Sequence, residues 1–196
     1  ELAAVLVEPV QSRRPDIQPG DFLHACREIC DECGAAFIMD EVITGFRVHP
    51  RGAQGIFDVR ADIATYGKII GGGMPIGVIA GARRFMDALD GGQWRFGDSS
   101  FPDVGVTYFA GTFVRHPLVL AAARASLTYL KKEGPELQQR VNALTDNLAA
   151  DLNTFCRDTG IPVHIAHFGS LFKITFTRDE PFSDLFFTWM RYRGVH

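Results

Sequence analysis

The segment Tyr66-Gly67-Lys68-Ile69-Ile70-Gly71-Gly72-Gly73-Met74-Pro75-Ile76-Gly77 constrains this chain more than any other. A single lysine follows an apolar stretch, and three glycines and a Pro-x-Gly turn come directly after it. Glycine lets the backbone turn sharply and lets another group approach it closely. The lysine is therefore expected at the rim of a sheet, just past the end of a strand. Upstream, Ile38-Met39-Asp40-Glu41-Val42 reads as a second apolar strand that ends on a carboxylate. The fold has to be one that leaves two such strand ends open to a ligand.

The rest of the chain alternates strand and helix signals. Residues 3–10 form a continuous apolar run, which predicts a strand buried on both faces. Pro19-Gly20-Asp21 starts a helix over 21–33, and Gly34 ends it. Strands are predicted at 35–40, 62–66 and 76–81, with a loop through Pro50, Gly52 and Gly55 between the first two. A short helix over 83–89 follows. This order implies an α/β fold with a largely parallel sheet and helices on both faces. Residues 91–106 read as a long loop and 107–110 as a short strand. Pro117 suits the first turn of a helix over 118–132. Gly134-Pro135 breaks that helix, and a second runs to about Cys156. Strands at 163–166 and 171–176 and a helix over 182–193 complete a smaller α+β part. The boundary is placed at Gly134, giving domains 1–133 and 134–196.

Composition removes several function classes. Hydrophobic residues make up 46% and charged residues 22%, which is ordinary for a soluble globular protein. The net charge of −3 offers no basic surface for nucleic acid. No apolar run reaches the roughly 20 residues that span a bilayer, and no signal peptide opens the chain, so a cytoplasmic location is expected. The chain opens on an apolar strand without Met and stops at Gly194-Val195-His196. It reads as an internal piece of a longer protein, truncated at both ends. Of four cysteines, Cys26, Cys30 and Cys33 share a helical stripe with Phe22, Ala25 and Ile29. Core packing is the expectation for that stripe. Zinc binding would need a second Cys or His pair at ligand spacing, and none is present, so no metal is expected.

A lysine and a carboxylate at two strand ends are what pyridoxal phosphate chemistry needs. The amine attacks the cofactor aldehyde, and the carboxylate keeps the ring nitrogen protonated so that the ring can accept electrons. Each residue also has a plainer reading. Lys68 could be a solvated surface charge. Asp40 could merely end a strand or cap a turn, and Val42 belongs to the core in either case. Glu8 and Glu41 read as structural partners, and the histidines show no paired spacing. A nucleotide loop is disfavoured because its glycines precede the lysine, whereas here they follow it. A catalytically dead scaffold is the remaining alternative, and the presence of both Lys68 and Asp40 counts against it.

These residues carry a family resemblance. The chain resembles the class III aminotransferases of fold type I, which depend on pyridoxal phosphate, and in particular the glutamate-1-semialdehyde aminomutase branch. Asp40-Glu41-Val42-Ile43-Thr44-Gly45-Phe46-Arg47-Val48 and residues 67–77 carry the likeness. Residues 90–94 and 109–117 are similar to the aminotransferase domains of hybrid polyketide–peptide synthetases of the microcystin and iturin kind. The resemblance implies that Lys68 is the Schiff-base lysine and Asp40 the partner of the ring nitrogen. It implies that Val42 packs on the ring. It further implies that Thr112 and the N–H groups near Gly111 bind the cofactor phosphate of a neighbouring subunit in a homodimer. The implied reaction is amino transfer from an amino-acid donor to a β-ketoacyl thioester on an acyl carrier protein. An aminomutase acting on a small semialdehyde, or a free-standing class III aminotransferase, is the alternative. Two departures move the chain away from the ω-amino-acid enzymes of this class. Arg13 stands where they resemble one another in carrying Glu, and Ile43 stands where many place Gln. The family's phosphate-cup turn and its ring-stacking aromatic have no match in residues 1–60. The fragment is therefore expected to hold the cofactor poorly by itself.

Overall fold

A computed structural model describes residues 2–102, 105–112, 114–181 and 183–195. Parts of the expected loop 91–106, of the segment 109–117 and of the expected helix over 182–193 fall outside the described residues. In chain order the elements are β1 (Ala4–Val7), α1 (Gly20–Cys33), β2 (Ala36–Asp40), α2 (Ala53–Phe57), β3 (Ile63–Tyr66), β4 (Val78–Gly81), α3 (Arg83–Asp90), α4 (Pro117–Glu133), α5 (Pro135–Thr159), β5 (Val163–Phe168), β6 (Leu171–Phe176) and α6 (Ser183–Tyr192). A 3-10 turn at Lys68–Gly71 follows β3.

The larger sheet has the order β1-β2-β3-β4. Its first three strands are parallel, and β4 returns antiparallel to β3. Parallel neighbours need a crossover, and α1 supplies it between β1 and β2. Leu23, Cys26 and Cys30 of α1 bury against Ala35, Phe37, Met39 and Val59, with Val5 and Val7 at the margin. Gly34 ends α1 in the left-handed conformation, as its lack of a Cβ permits.

The second part of the chain pairs β5 with β6 antiparallel and lays α5 along β5. It is tied to the segment after β2. Gln138 Nε2 donates to the Phe46 carbonyl at 3.0 Å, and Asn142 Nδ2 donates to that of Val48 at 2.8 Å. The Phe57 and Phe168 rings stack at 5.5 Å, beside buried Val10, Val48 and Ala53.

Four expectations need correction. β1 is not buried on both faces: it is a sheet edge, and Leu6 on the face away from α1 is 64% exposed. The α1 stripe is narrower than predicted. Cys26 and Cys30 are core, while Phe22, Ala25, Ile29 and Cys33 lie on the exposed side, because the helix turns Leu23 rather than Phe22 toward the sheet. The loop after β2 contains a helix, α2, and the reason lies in Glu41, described below. Residues 107–110 form no strand: the Thr107 N–H goes to the Ala88 carbonyl rather than to a sheet neighbour, and Tyr108 is almost fully exposed.

Burial pushes the Cys26 and Cys30 thiols upward, away from the thiolate form a metal would bind. Among the described residues no group of three or more His, Cys, Asp or Glu side chains is placed to hold a metal, and no helix is long and apolar enough to cross a membrane.

Candidate active site

Asp40 is the last residue of β2, and Lys68 follows β3 by two residues. The two strands are parallel neighbours, so both residues stand at the carboxyl edge of the sheet, where open α/β folds leave room for ligands. Asp40 both ends its strand and caps a turn. Its Oδ1 accepts the Val42 N–H at 3.0 Å and the Thr65 hydroxyl, also at 3.0 Å. Among the described residues Oδ2 accepts no hydrogen bond.

Lys68 opens the 3-10 turn with its side chain exposed and its backbone at φ +45°. The turn is pinned from behind. Ile70 and Gly71 are buried, and α4 packs across them, with Ala122 and Ser126 crowding Gly72. Val42 reaches the same place: a Cβ on Gly67 would lie 3.3 Å from Val42 Cγ1 and 3.1 Å from the Ile76 carbonyl. Glycine before the lysine thus lets Val42 and Ile76 close around the turn.

Glu41 faces the opposite way and is fully buried. Its carboxylate accepts Thr44 Oγ1 at 2.5 Å, Ala53 N at 2.9 Å and Gln54 N at 3.0 Å. The last two are free N–H groups at the start of α2, where a negative charge is favoured. Glu41 is therefore a structural partner, as its sequence context suggests. It folds the loop back under the sheet and fixes the direction in which Asp40 and Val42 leave β2. Burial, and then the Glu41 charge, push the nearby Tyr66 phenol above its ordinary range.

The structure brings Asp40, Val42 and Lys68 together. Gly111 and Thr112 lie on an exposed turn closed by Val114 N–H to the Gly111 carbonyl at 3.1 Å, and among the described residues no hydrogen bond joins them to Asp40, Val42 or Lys68. Thr112 does not start the following helix, since the residue capping α4 is His116. An apolar hollow of about 700 Å³ lies between this turn, residues 75–79 and α4.

The whole of residues 1–196 matches the description "Aminotransferase class-III". The chain belongs to the class III aminotransferase family. A relative in the family, glutamate-1-semialdehyde 2,1-aminomutase 1 of Lachnoclostridium phytofermentans, is 38% identical over 92% of this chain and 39% of its own length. Among solved structures, an omega-transaminase from Sphaerobacter thermophilus superposes with a TM-score of 0.74 and 30% identity, covering 98% of this chain and 40% of that one. A beta-phenylalanine aminotransferase from Variovorax paradoxus gives 0.73 and 33%, covering 92% and 39%. This chain therefore has the fold of class III aminotransferases and spans about two fifths of the length of these relatives.

Sequence reasoning passed over Thr65. Its signal was available: it is an aliphatic hydroxyl in an otherwise apolar strand, at the register position opposite Asp40. It needed the strand pairing to be seen.

Proposed function

We propose that the protein transfers amino groups with pyridoxal phosphate, from an amino-acid donor to the keto group of a β-ketoacyl thioester carried on an acyl carrier protein. The observation that carries the cofactor reading is the placement of Lys68 and Asp40 at adjacent carboxyl ends of β3 and β2. The residues fit the group. One Asp40 oxygen is already held by the protein and the other accepts no hydrogen bond among the described residues, and the lysine is exposed between Gly67 and the glycine run that begins at Gly71. A solved chain with 32% identity, described as a transaminase with PLP bound, supports the same reading.

When bound, pyridoxal phosphate supplies an electron sink for the carbon that carries the amino group. Lys68 Nζ would hold the cofactor covalently. When free, Nζ would serve as the base and then the acid that moves the substrate proton. Asp40 Oδ2 keeps a proton on the ring nitrogen. Val42, which reaches the turn at Gly67, would pack against the ring. Thr112 and the N–H groups near Gly111 would receive the phosphate of a partner subunit, which suits their place on an exposed turn. This makes the working unit a homodimer, with residues 1–133 as part of its cofactor-binding domain and 134–196 as part of the smaller one.

The carrier-bound substrate is supported by the likeness of residues 90–94 and 109–117 to synthetase-embedded domains, while Arg13 in place of Glu only moves the chain away from the ω-amino-acid enzymes. The aminomutase reading is favoured by the 38% identity to an enzyme of that name. One experiment separates them. The whole polypeptide, loaded with cofactor and an amino-acid donor, is offered a 3-oxoacyl pantetheine thioester or a small amino semialdehyde. The carrier reading requires a β-amino thioester and an equal amount of 2-oxo acid from the donor. Rearrangement of the semialdehyde without a donor, and no reaction of the thioester, would overturn it in favour of the mutase.

A further inference from the structure

We propose that Thr65 is a positioning residue that fixes the plane of the Asp40 carboxylate, and so the direction in which its free oxygen faces the ring nitrogen; this rests on the cofactor reading above. Thr65 lies directly across from Asp40 in the parallel register of β2 and β3. Its hydroxyl donates to Asp40 Oδ1 at 3.0 Å, and the same oxygen accepts the Val42 N–H at 3.0 Å. The Val42 bond is local, closing a turn within two residues. By itself it leaves the carboxylate torsion soft, because that torsion is broad and nearly two-fold and either oxygen can take the N–H. The second donor comes from the neighbouring strand and from another direction. Two donors on one oxygen fix the plane of the group, so that whichever of the two equivalent oxygens takes them, the other is held at one angle. Oδ2, with no hydrogen bond among the described residues, is then presented to a ligand as an acceptor in one orientation. Hydrogen bonds to an ionised group are among the stronger ones in a protein, so this tether holds during binding.

Thr65 touches Asp40 rather than the ring, so its role is read at the ring nitrogen. The experiment uses the whole polypeptide loaded with cofactor labelled with nitrogen-15 in the ring, and records the nitrogen chemical shift, the cofactor dissociation constant and the rate of the amino-donor half-reaction. Thr65→Val removes the donor and keeps the branched shape; Thr65→Ala tests the same contact if the valine variant does not fold; Thr65→Ser restores the hydroxyl. We expect the valine or alanine variant to move the ring signal toward unprotonated pyridine. We expect it to slow the half-reaction about tenfold, the scale of one lost charge-assisted hydrogen bond. Serine should return both toward the parent. A ring signal and rate unchanged without the hydroxyl, even with a lowered melting temperature, would overturn the proposal and leave Thr65 a sheet residue only. Asp40→Asn separates the two levels. If it moves the ring signal while Thr65→Val does not, the positioning role fails and the cofactor reading stands. If neither moves it, both fail.

Discussion

Glu41 and Gly52 should behave as one unit, and the structure sets the size of the coupling. Glu41 is fully buried and accepts hydrogen bonds from Thr44, Ala53 and Gln54. Glu41→Ala leaves two helix-start N–H groups and one hydroxyl without an acceptor, which should cost about 4 kcal/mol. Gly52 sits at φ +65°, and a Cβ there would run into Oε2 of Glu41. With ψ at −155°, a region open essentially to glycine alone, Gly52→Ala therefore carries backbone strain of about 2 kcal/mol. It also displaces the carboxylate from its donors, for roughly 2 kcal/mol more. In the Glu41→Ala background the displaced group is gone and only the strain remains. The double variant should thus be about 2 kcal/mol more stable than the sum of the singles requires. Urea unfolding of the four proteins, with the slope checked for constancy, measures this. Singles that add to within about 0.5 kcal/mol would refute the contact between Gly52 and the Glu41 carboxylate as the reason for glycine at this position.

Lys68→Ala should abolish turnover, and borohydride trapping followed by peptide mapping should place the phosphopyridoxyl label of the parent on Lys68; a label on Lys131, Lys132 or Lys173 would reassign the site. Asp40→Asn should keep the fold yet lower the half-reaction rate by about a hundredfold or more, since an amide cannot hold the ring nitrogen protonated by ion pairing; near-parent rates would remove Asp40 from the mechanism. Asp62 supplies a pH test. Burial pushes its carboxyl up, but the Phe37 N–H and the Arg27 and Arg84 guanidiniums outweigh that and hold it below its ordinary value. The folded state therefore favours the ionised form. Its stability contribution is present above the ordinary carboxylate value of about 3.9 and is lost as pH falls through the lower folded value. Asp62→Asn should accordingly be destabilised at neutral pH, with the gap to the parent closing in strong acid; a gap independent of pH would mean that charge is not what Asp62 contributes.

The strand ends that matter were legible because the signals were local. An apolar run closing on Asp40, and a lysine between a strand and three glycines, need no tertiary information, and both stand where the sequence places them. Gly34 and Pro117 marked helix ends for the same reason. What escaped was set by partners distant in sequence. Five residues of α2 begin after Gly52 with no capping residue of their own, because Glu41, twelve positions before Ala53, supplies the acceptor. The apolar run over 3–10 carries the composition of a strand covered on both faces, yet β1 lies at a sheet edge with one face open. On α1 two apolar stripes, Leu23-Cys26-Cys30 and Phe22-Ala25-Ile29, compete at nearly equal strength. Only packing against Phe37 and Met39 chooses between them. Thr65 was passed over for a related reason: threonine is a common strand former, and its hydroxyl acquires meaning only opposite Asp40.

The backbone of Lys68, at φ +45°, lies in a region that L-residues enter at a cost of about 1 kcal/mol or more and glycine enters freely. On the proposed function, the residue that chemistry requires at this position is thus one that folding disfavours. Laboratory evolution for heat resistance alone would find relief here and discard the amine in doing so. A library screened on melting temperature without an activity filter should become enriched in glycine at position 68, and its most durable members would be catalytically silent.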